Sequence, residues 1–403
     1  MDGSKTISNQ VQPFLTCGTP MSEISAKKSQ APLHCNQSED FSMAEARKTI
    51  GDLFQPKPWV YWTDFLLSFS VAIVCFRLVR QSELFSWQQI TCFIVSSLLF
   101  YRLAMFIHEL VHLRTGTMNA FRVTWNLLVG VPFLMPSFVY YTHMDHHRRK
   151  HYGTDKDGEY LPIEHEGRWQ IFAFLAASFV VPFLAVFRFL VLTPLTWISP
   201  AFRDWALKHA SSMVIDPKYI RPLPTKDAMR IIRIQEGLCF LWCLGVLIGT
   251  LTIGKYPYPF LIQAYCTGVF ILTINAVRTL VAHRWHNREG EMTFLEQLLD
   301  SINFPTKMWL TELWAPIGTR FHALHHMFPS LPYHAMPEAH KRLMKALPDG
   351  SPYHQTNEDS FTHAFADLWV RCGQNHEESF SGESSQIDRA DNESVSSEMA
   401  NSA

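Results

Sequence analysis

Long apolar stretches separated by polar linkers dominate the middle of the chain. Five of them are near or above the length that crosses about 30 Å of hydrocarbon at about 1.5 Å per residue. These five stretches cover residues 61–79, 87–107, 169–192, 237–253 and 257–282. A sixth, residues 121–141, is interrupted by two polar residues and two prolines. The pattern predicts an all-α integral membrane protein.

The distribution of lysine and arginine predicts how the chain is oriented, because these residues collect in cytoplasmic loops. Linkers 80–86 and 254–256 each carry one, whereas residues 193–236 carry seven. We therefore expect two transmembrane hairpins, 61–107 and 237–282, which make four crossings. Both termini and both long loops then lie in the cytoplasm, beside the inner membrane if the chain is bacterial.

Two apolar stretches do not cross in this arrangement. The ends of residues 169–192 must stay on one side, and the stretch contains Pro182 and Arg188. We expect it, and residues 121–141, to be re-entrant or to lie on the membrane surface.

Composition changes the picture only at the ends of the chain. Residues 1–50 are polar and residues 375–403 are acidic and serine-rich, which predicts disordered tails around a membrane domain of residues 51–374. A short helix is expected near residues 42–50. A charged fraction of 18% is low for a soluble surface, and a net charge of -1 gives no reason to expect a nucleic-acid partner. The scattered cysteines form no C-x-x-C pair.

The candidate chemistry lies in the histidines. Three boxes read H-E-L-V-H, H-M-D-H-H and H-A-L-H-H, and a further histidine closes the last apolar stretch in A-H-R-W-H. Residues three or four apart share one face of a helix, so each box directs its imidazoles to one side. The four-crossing arrangement brings all of them to the cytoplasmic face. The nine candidate ligands are His108, His112, His143, His146, His147, His283, His322, His325 and His326.

Neutral imidazole binds Fe, Zn, Cu and Ni, and nine nitrogens are too many for one ion, so two metal ions are expected. His151, His286 and His334 stay undecided from the sequence. The other histidines are interpreted as ordinary polar or core residues: His34, His165, His209, His340, His354, His363 and His376.

Two other classes of protein compete with this interpretation. H-E-L-V-H also fits the H-E-x-x-H pattern of zinc metalloproteases, in which Glu109 would be the general base. That reading leaves the other two boxes without a role. A metal transporter is the second alternative, but its histidines would line a path across the bilayer instead of collecting on one side.

At these residues the chain resembles the membrane-bound fatty acid desaturase and hydroxylase superfamily, and its bacterial members most. Residues 322–334, H-A-L-H-H-M-F-P-S-L-P-Y-H, resemble the third box of desaturases that act on fatty acyl chains, and residues 143–160 are similar to the second box. The resemblance covers about residues 106–347. It implies a four-helix membrane stem under a cytosolic cap, with the nine histidines holding two iron ions.

The resemblance implies oxygen-dependent desaturation of a fatty acyl chain carried as a thioester, a lipid or a free acid. Hydroxylation, or oxidative decarboxylation to a terminal alkene, stays open because the same centre could follow the first hydrogen abstraction in several ways. An alkyl C–H bond has no acidic proton, so a redox metal that binds O₂ is consistent with this chemistry. The sequence contains no dinucleotide fingerprint, cysteine cluster or fused cytochrome b5 motif, so a separate donor of ferredoxin or cytochrome b5 type is expected. The basic stretch 193–236 could dock that donor, although contact with anionic lipid headgroups is favoured.

Acidic residues near the boxes are candidates to orient the imidazoles through their second ring nitrogen. The alternative for each is an ordinary solvated loop position. These candidates are Asp145, Asp155, Asp157 and Glu159 in the loop after the second box, and Glu109 in the first. Glu109 could instead form an ion pair with Arg102 or Arg114.

Overall fold

The computed structural model describes residues 42–253, 257–287 and 290–374. Most of the two predicted tails lies outside the described residues. Helix α1, Met43–Thr49, is formed and capped by Ser42. Its Ala46 and the following Ile50 are fully buried. The ordered part of the chain therefore includes residues 42–50, where a short helix was expected. The domain boundaries at residues 51 and 374 stay a prediction.

The described residues are helical and contain no β-strand, only isolated bridges. Short 3-10 or π segments connect several of the helices. The α-helices after α1 are α2 Pro58–Gln81, α3 Trp87–His112, α4 Asn119–Trp125, α5 His143–His146, α6 Ile163–Glu166, α7 Arg168–Phe187, α8 Thr193–Ile198, α9 Pro200–His209, α10 Lys226–Thr252, α11 Pro257–Leu280, α12 Phe294–Asp300, α13 Met308–Trp314, α14 His322–Met327 and α15 Met336–Ala346. A further helix covers residues 361–374.

The long helices form because uninterrupted apolar sequence is framed by local signals at the helix ends. α2 begins at Pro58, whose fixed φ suits the first turn, and Ser86 caps α3 by accepting a hydrogen bond from the backbone N–H of Gln89. α2 and α3 pack against each other along their length. Large apolar side chains such as Leu67 and Leu251 stay more than half exposed. Exposed apolar faces of this kind suit contact with lipid.

Five helices are long and apolar enough to cross a membrane, whereas the sequence predicted four crossings. The additional one runs without a break over Arg168–Ile198, because α7 continues through Pro182 and a π-helical segment into α8. The Phe183 ring lies 5.0 Å from the ring of Tyr265, so α7 packs along the middle of α11. The four-crossing arrangement stays a prediction.

The contacts of this segment nevertheless constrain its path. Near its start, the guanidinium of Arg168 lies 5.0 Å from the Trp369 ring, and Ile171 packs in the same cluster as Leu280 at the end of α11. After α9 the chain returns, and the Tyr219 hydroxyl donates to Asp145 at 2.9 Å. The start of the segment and the chain that follows α9 therefore both reach the region that carries the histidine boxes.

Residues 121–141 form no long helix. α4 is followed by a π-helical segment, Asn126–Gly130, and a 3-10 helix, Ser137–Tyr140. Trp125 is fully buried and its indole N–H donates to the carbonyl oxygen of Leu103 at 2.8 Å. This stretch packs on the buried half of α3 and leads directly into the second histidine box.

A buried ion network holds the end of α7 against α10. Glu236 is fully buried and binds two arginine side chains, Arg188 from the π-helical turn after α7 and Arg203 from α9, the latter at 3.2 Å. Both arginines are nearly as buried. A carboxylate between two buried guanidinium groups offsets their desolvation, and removing it would leave two uncompensated charges.

We expect Glu236→Gln to cost about 3–5 kcal/mol of stability, because breaking a buried ion pair strands the remaining charge. The measurement is thermal melting of the detergent-solubilised protein. Glu166→Gln, at an exposed position, is the matched control and should melt like the wild type. A Glu236→Gln protein that melts at the wild-type temperature would contradict this account of the network.

Candidate metal centre

The first histidine box lies at the buried end of α3. His108 and His112 are four residues apart and their ring centroids are 5.3 Å apart, as expected for one helix face. The helix ends at His112, so both imidazoles project where an apolar span gives way to polar loops. This location corresponds to the end of the second predicted crossing.

The second and third boxes form short helices that pack against that end. His143 and His146 belong to α5, and His147 follows as its C-terminal cap residue. α14 carries the third box. His283 comes just after α11 and is fixed by an antiparallel bridge to Ser301. Four separate parts of the chain therefore contribute imidazoles to one place.

The nine predicted histidines form two groups, and within each group the candidate ligand atoms lie within 4.8 Å of one another. The first group is His108, His112, His143, His147 and His325, and the second is His146, His283, His322 and His326. Each group thus draws on at least two of the motifs. This grouping fits two metal ions, one for each set of imidazoles.

The undecided histidines lie outside both groups. The His286 ring bonds to Glu164 at 2.7 Å, His334 accepts from the backbone N–H of Lys57, and His151 lies 3.4 Å from Asp145. Their contacts are those of structural residues.

The ring nitrogens lie so close together that hydrogen bonds between them cannot pair every nitrogen lone pair. Nε2 of His147 lies 2.9 Å from Nε2 of His143 and 3.0 Å from Nε2 of His325. In the second group, Nε2 of His322 lies 2.8 Å from Nε2 of His283. A neutral imidazole has a single N–H, so three nitrogens that meet at one point cannot all be paired. A cation placed between them would satisfy every lone pair.

Unpaired nitrogens lead to the same conclusion. Both ring nitrogens of His108 and of His112 are buried and have no hydrogen-bond partner among the described residues. Burial lowers the pKa of His322, His325 and His326 well below its usual value, and neighbouring imidazoles lower it further. These rings are neutral at pH 7, which is the state that binds a metal. The residues present therefore fit the two metal ions.

Carboxylates bind the second ring nitrogen of two of these histidines. Nδ1 of His146 lies 2.8 Å from Asp157, and Nδ1 of His143 lies 2.9 Å from Glu159. Burial by itself would lower the pKa of His146, but the Asp157 carboxylate more than offsets this and raises it. With Nδ1–H donated to a carboxylate, the opposite nitrogen is fixed as the one that faces a metal. The predicted role of Asp157 and Glu159 agrees with these contacts.

The other acidic candidates do not have that role. Asp145 binds Tyr219 and Arg148 instead of a candidate ligand ring, and Asp155 is exposed. Glu109 accepts a hydrogen bond from Tyr61 on α2 at 2.5 Å. Among the described residues it therefore contacts no imidazole and forms no ion pair with Arg102 or Arg114.

Arg102 is engaged elsewhere, with Asp64 on α2 and Glu312 on α13. The pairing of Glu109 with Tyr61 also removes the general base on which the zinc metalloprotease alternative depends. Spacing along α3 placed Glu109 next to the histidines in sequence, but its position on the helix turns it towards α2.

The sequence did not reveal the group that holds His283. The Tyr152 hydroxyl lies 2.8 Å from Nδ1 of His283 and donates to Asp300 at 2.7 Å. Tyr160 donates to the other oxygen of Asp300, at 3.2 Å. Asp300 ends α12, seventeen residues after His283, and no motif spacing marks it. The two tyrosines lie in the stretch 143–160 that carries the second box, which was the one available signal.

Comparison with known proteins agrees with this geometry. Residues 85–357 match the fatty acid desaturase family, so the chain belongs to that family. A ceramide hydroxylase from Caulobacter vibrioides (strain NA1000 / CB15N) is 36% identical over 350 residues, which cover 85% of this chain and 97% of that protein. The family and the apolar helices define an integral membrane oxidoreductase that acts on lipids and is typically di-iron.

Asp157→Asn should weaken metal binding by about 10- to 100-fold, the usual effect of removing a partner of a metal-ligating histidine. The measurement is metal retained per chain during titration with a chelator. Asp155→Asn changes an exposed acid two residues earlier in the same loop and should titrate like the wild type. Equal retention in the two variants would exclude the proposed role of Asp157.

Proposed function

We propose that the chain uses a di-iron centre and O₂ to hydroxylate the acyl chain of an amide-linked membrane lipid. The observation that carries the proposal is the convergence of nine buried or partly buried imidazoles into two groups at the ends of α3 and α11. The iron ions, when bound, supply the oxidising power with O₂ that amino acid side chains lack.

The protein's own residues supply position and environment in this proposal. One ion would be held by the first group, which is His108, His112, His143, His147 and His325. The other ion would be held by the second group, which is His146, His283, His322 and His326. Asp157, Glu159 and the Tyr152–Asp300 pair keep three of the rings in the correct tautomer and orientation. Burial of the rings keeps bulk water away from the reacting carbon.

Hydroxylation is favoured by the relative that is a ceramide hydroxylase, because the similarity extends over 97% of that protein. Desaturation is the second candidate and is favoured by the family description. The metal ligands cannot separate the two outcomes, since both begin with removal of one hydrogen atom from the chain. Their products differ, by one added oxygen atom or by two lost hydrogen atoms.

The electrons and the substrate come from outside the chain in this proposal. We keep a ferredoxin or cytochrome b5 type protein as the separate electron donor and the bilayer as the source of the lipid. The histidine face is proposed to be cytoplasmic, on the basis of the linker charges.

Expression of the chain in cells should add oxygen to an amide-linked lipid, and the oxygen should come from O₂ because the proposed centre uses it. The measurement is mass spectrometry of total lipids after growth under heavy-isotope O₂, with and without the chain. A lipid that loses two hydrogens instead would select desaturation. A lipid profile identical to that of cells without the chain would contradict both functions.

His146→Ala and His325→Ala should each abolish the product, because each removes a ligand from a different group. The protein should stay inserted in the membrane at normal levels, as measured by fractionation beside the lipid assay. His209→Ala, at an exposed position on α9, is the matched control and should keep full activity. Retained activity in either ligand variant would remove that residue from the proposed centre.

A further inference from the structure

One buried cation beside the histidine groups is not used by the proposed metal centre. Arg278 lies two residues before the end of α11, and its side chain is 7% exposed. Its Nη2 donates to Asn275 on the same helix at 3.2 Å, whereas its Nε is buried without a partner. Within the described ranges Arg278 forms no ion pair, and the hydroxyl of Tyr101 on α3 is its other hydrogen-bonding neighbour.

This arrangement is costly unless something binds there. A guanidinium stays charged under all physiological conditions and carries five N–H donors. The Glu159 carboxylate interacts with this charge from beyond ion-pair distance and offsets part of the cost of burying it. The unpaired Nε–H still lacks an acceptor, and two adjacent metal ions would make its surroundings more positive. The structure therefore points to a missing group that offers oxygen acceptors to Arg278.

The position of Arg278 places that group at the reaction site. His283 follows Arg278 by five residues and lies just after the end of α11. Tyr101 lies seven residues before His108 on α3, on the same side of that helix. The positive charge of Arg278 also acts on His322 and Glu159, which both belong to the histidine centre or contact it. Arg278 thus lies on the membrane side of the centre, between the two helices that carry His108 and His283.

Further unpaired polar atoms lie in the same two helices. The hydroxyl of Ser97, one turn before Tyr101 on α3, is buried without a partner, and so is the hydroxyl of Thr273 on α11. A ligand made only of methylene groups would leave these atoms unpaired. A lipid with an amide and hydroxyl groups would supply partners for them.

The depth of the site fits such a lipid. Arg278 is near the end of a membrane helix, and the amide and hydroxyl groups of a bilayer lipid occupy the same boundary between hydrocarbon and water. The carbons next to the amide then lie nearest to the histidines, which follow the ends of α3 and α11. The middle of an acyl chain would lie deeper, among the exposed apolar faces of the helices.

We propose that Arg278 binds the carbonyl oxygen of an amide-linked acyl lipid and thereby selects a carbon close to that polar group for oxidation. The inference rests on the function proposed above and names its substrate class. Arg278 is a substrate-positioning residue in this proposal, and it transfers no proton or electron.

The test uses the full chain in nanodiscs, as wild type, Arg278→Gln and Arg278→Lys, with a short-chain ceramide as the probe. In metal-free protein, Arg278→Gln should weaken ceramide binding about 10- to 100-fold, the effect of losing a charged hydrogen bond. Arg278→Lys keeps the charge and should restore part of it. Arg77→Gln removes an exposed arginine from membrane helix α2 and should bind like the wild type.

The position of the new oxygen is a second measurement, and it needs no variant that might fail to fold. Wild-type product should carry oxygen within the first few carbons of the amide, and Arg278→Gln should spread it along the chain while KM rises. Mid-chain oxidation by the wild type, unchanged binding in Arg278→Gln, or tighter binding of a free fatty acid than of ceramide would each overturn the proposal. A complete lack of oxidised lipid would instead refute the function on which it rests.

Discussion

Nine imidazoles, all buried or partly buried, meet at one place, and this convergence is the constraint on which the rest of the structure depends. Their nitrogens meet at distances that leave lone pairs unmatched, and a cation in each group removes that mismatch. The arrangement of the helices has to bring these imidazoles together. α3 and α11 have to end on the same side, and the intervening chain has to return there after α7, α8 and α9. The contact of Tyr219 with Asp145 is where that return is visible.

The histidines were predictable from the sequence because each box encodes its geometry locally. Spacings of three and four residues fix a common helix face whatever the rest of the chain does, and the apolar stretches fix which helix ends lie together. Asp157 and Glu159 could be proposed for the same reason, since they follow the second box within one short loop. The family resemblance, which the comparisons confirm, rests on these same motifs.

What the sequence did not reveal depends on contacts between distant residues. Asp300 lies near His283 because the chain folds back at the bridge between His283 and Ser301. The spacing of these residues in the sequence does not predict this contact. The contact of Glu109 with Tyr61 could not be read from the sequence, because a residue next to the histidines in sequence can face a different helix. α7 is a similar case. Its apolar length suits a crossing, while its start and the chain that follows α9 both contact the part of the protein that carries the histidine boxes.

The outcome of the reaction depends on features other than the metal ligands. The same two groups of imidazoles would serve hydroxylation and desaturation. The position of the substrate carbon therefore has to determine which product forms. Arg278 connects the position of the substrate to the metal centre, because it is a buried charge in a membrane helix beside that centre. Its presence makes most sense if the polar end of a lipid, and not the middle of its chain, approaches the histidines.

The most direct test of the central claim is the metal content of the full-length protein purified from cells grown with ample iron. Elemental analysis should find two iron ions per chain, and X-ray absorption at the iron edge should show nitrogen-rich coordination with a second iron nearby. A single metal ion per chain, or iron bound mainly by sulfur or oxygen from outside the two histidine groups, would contradict the account.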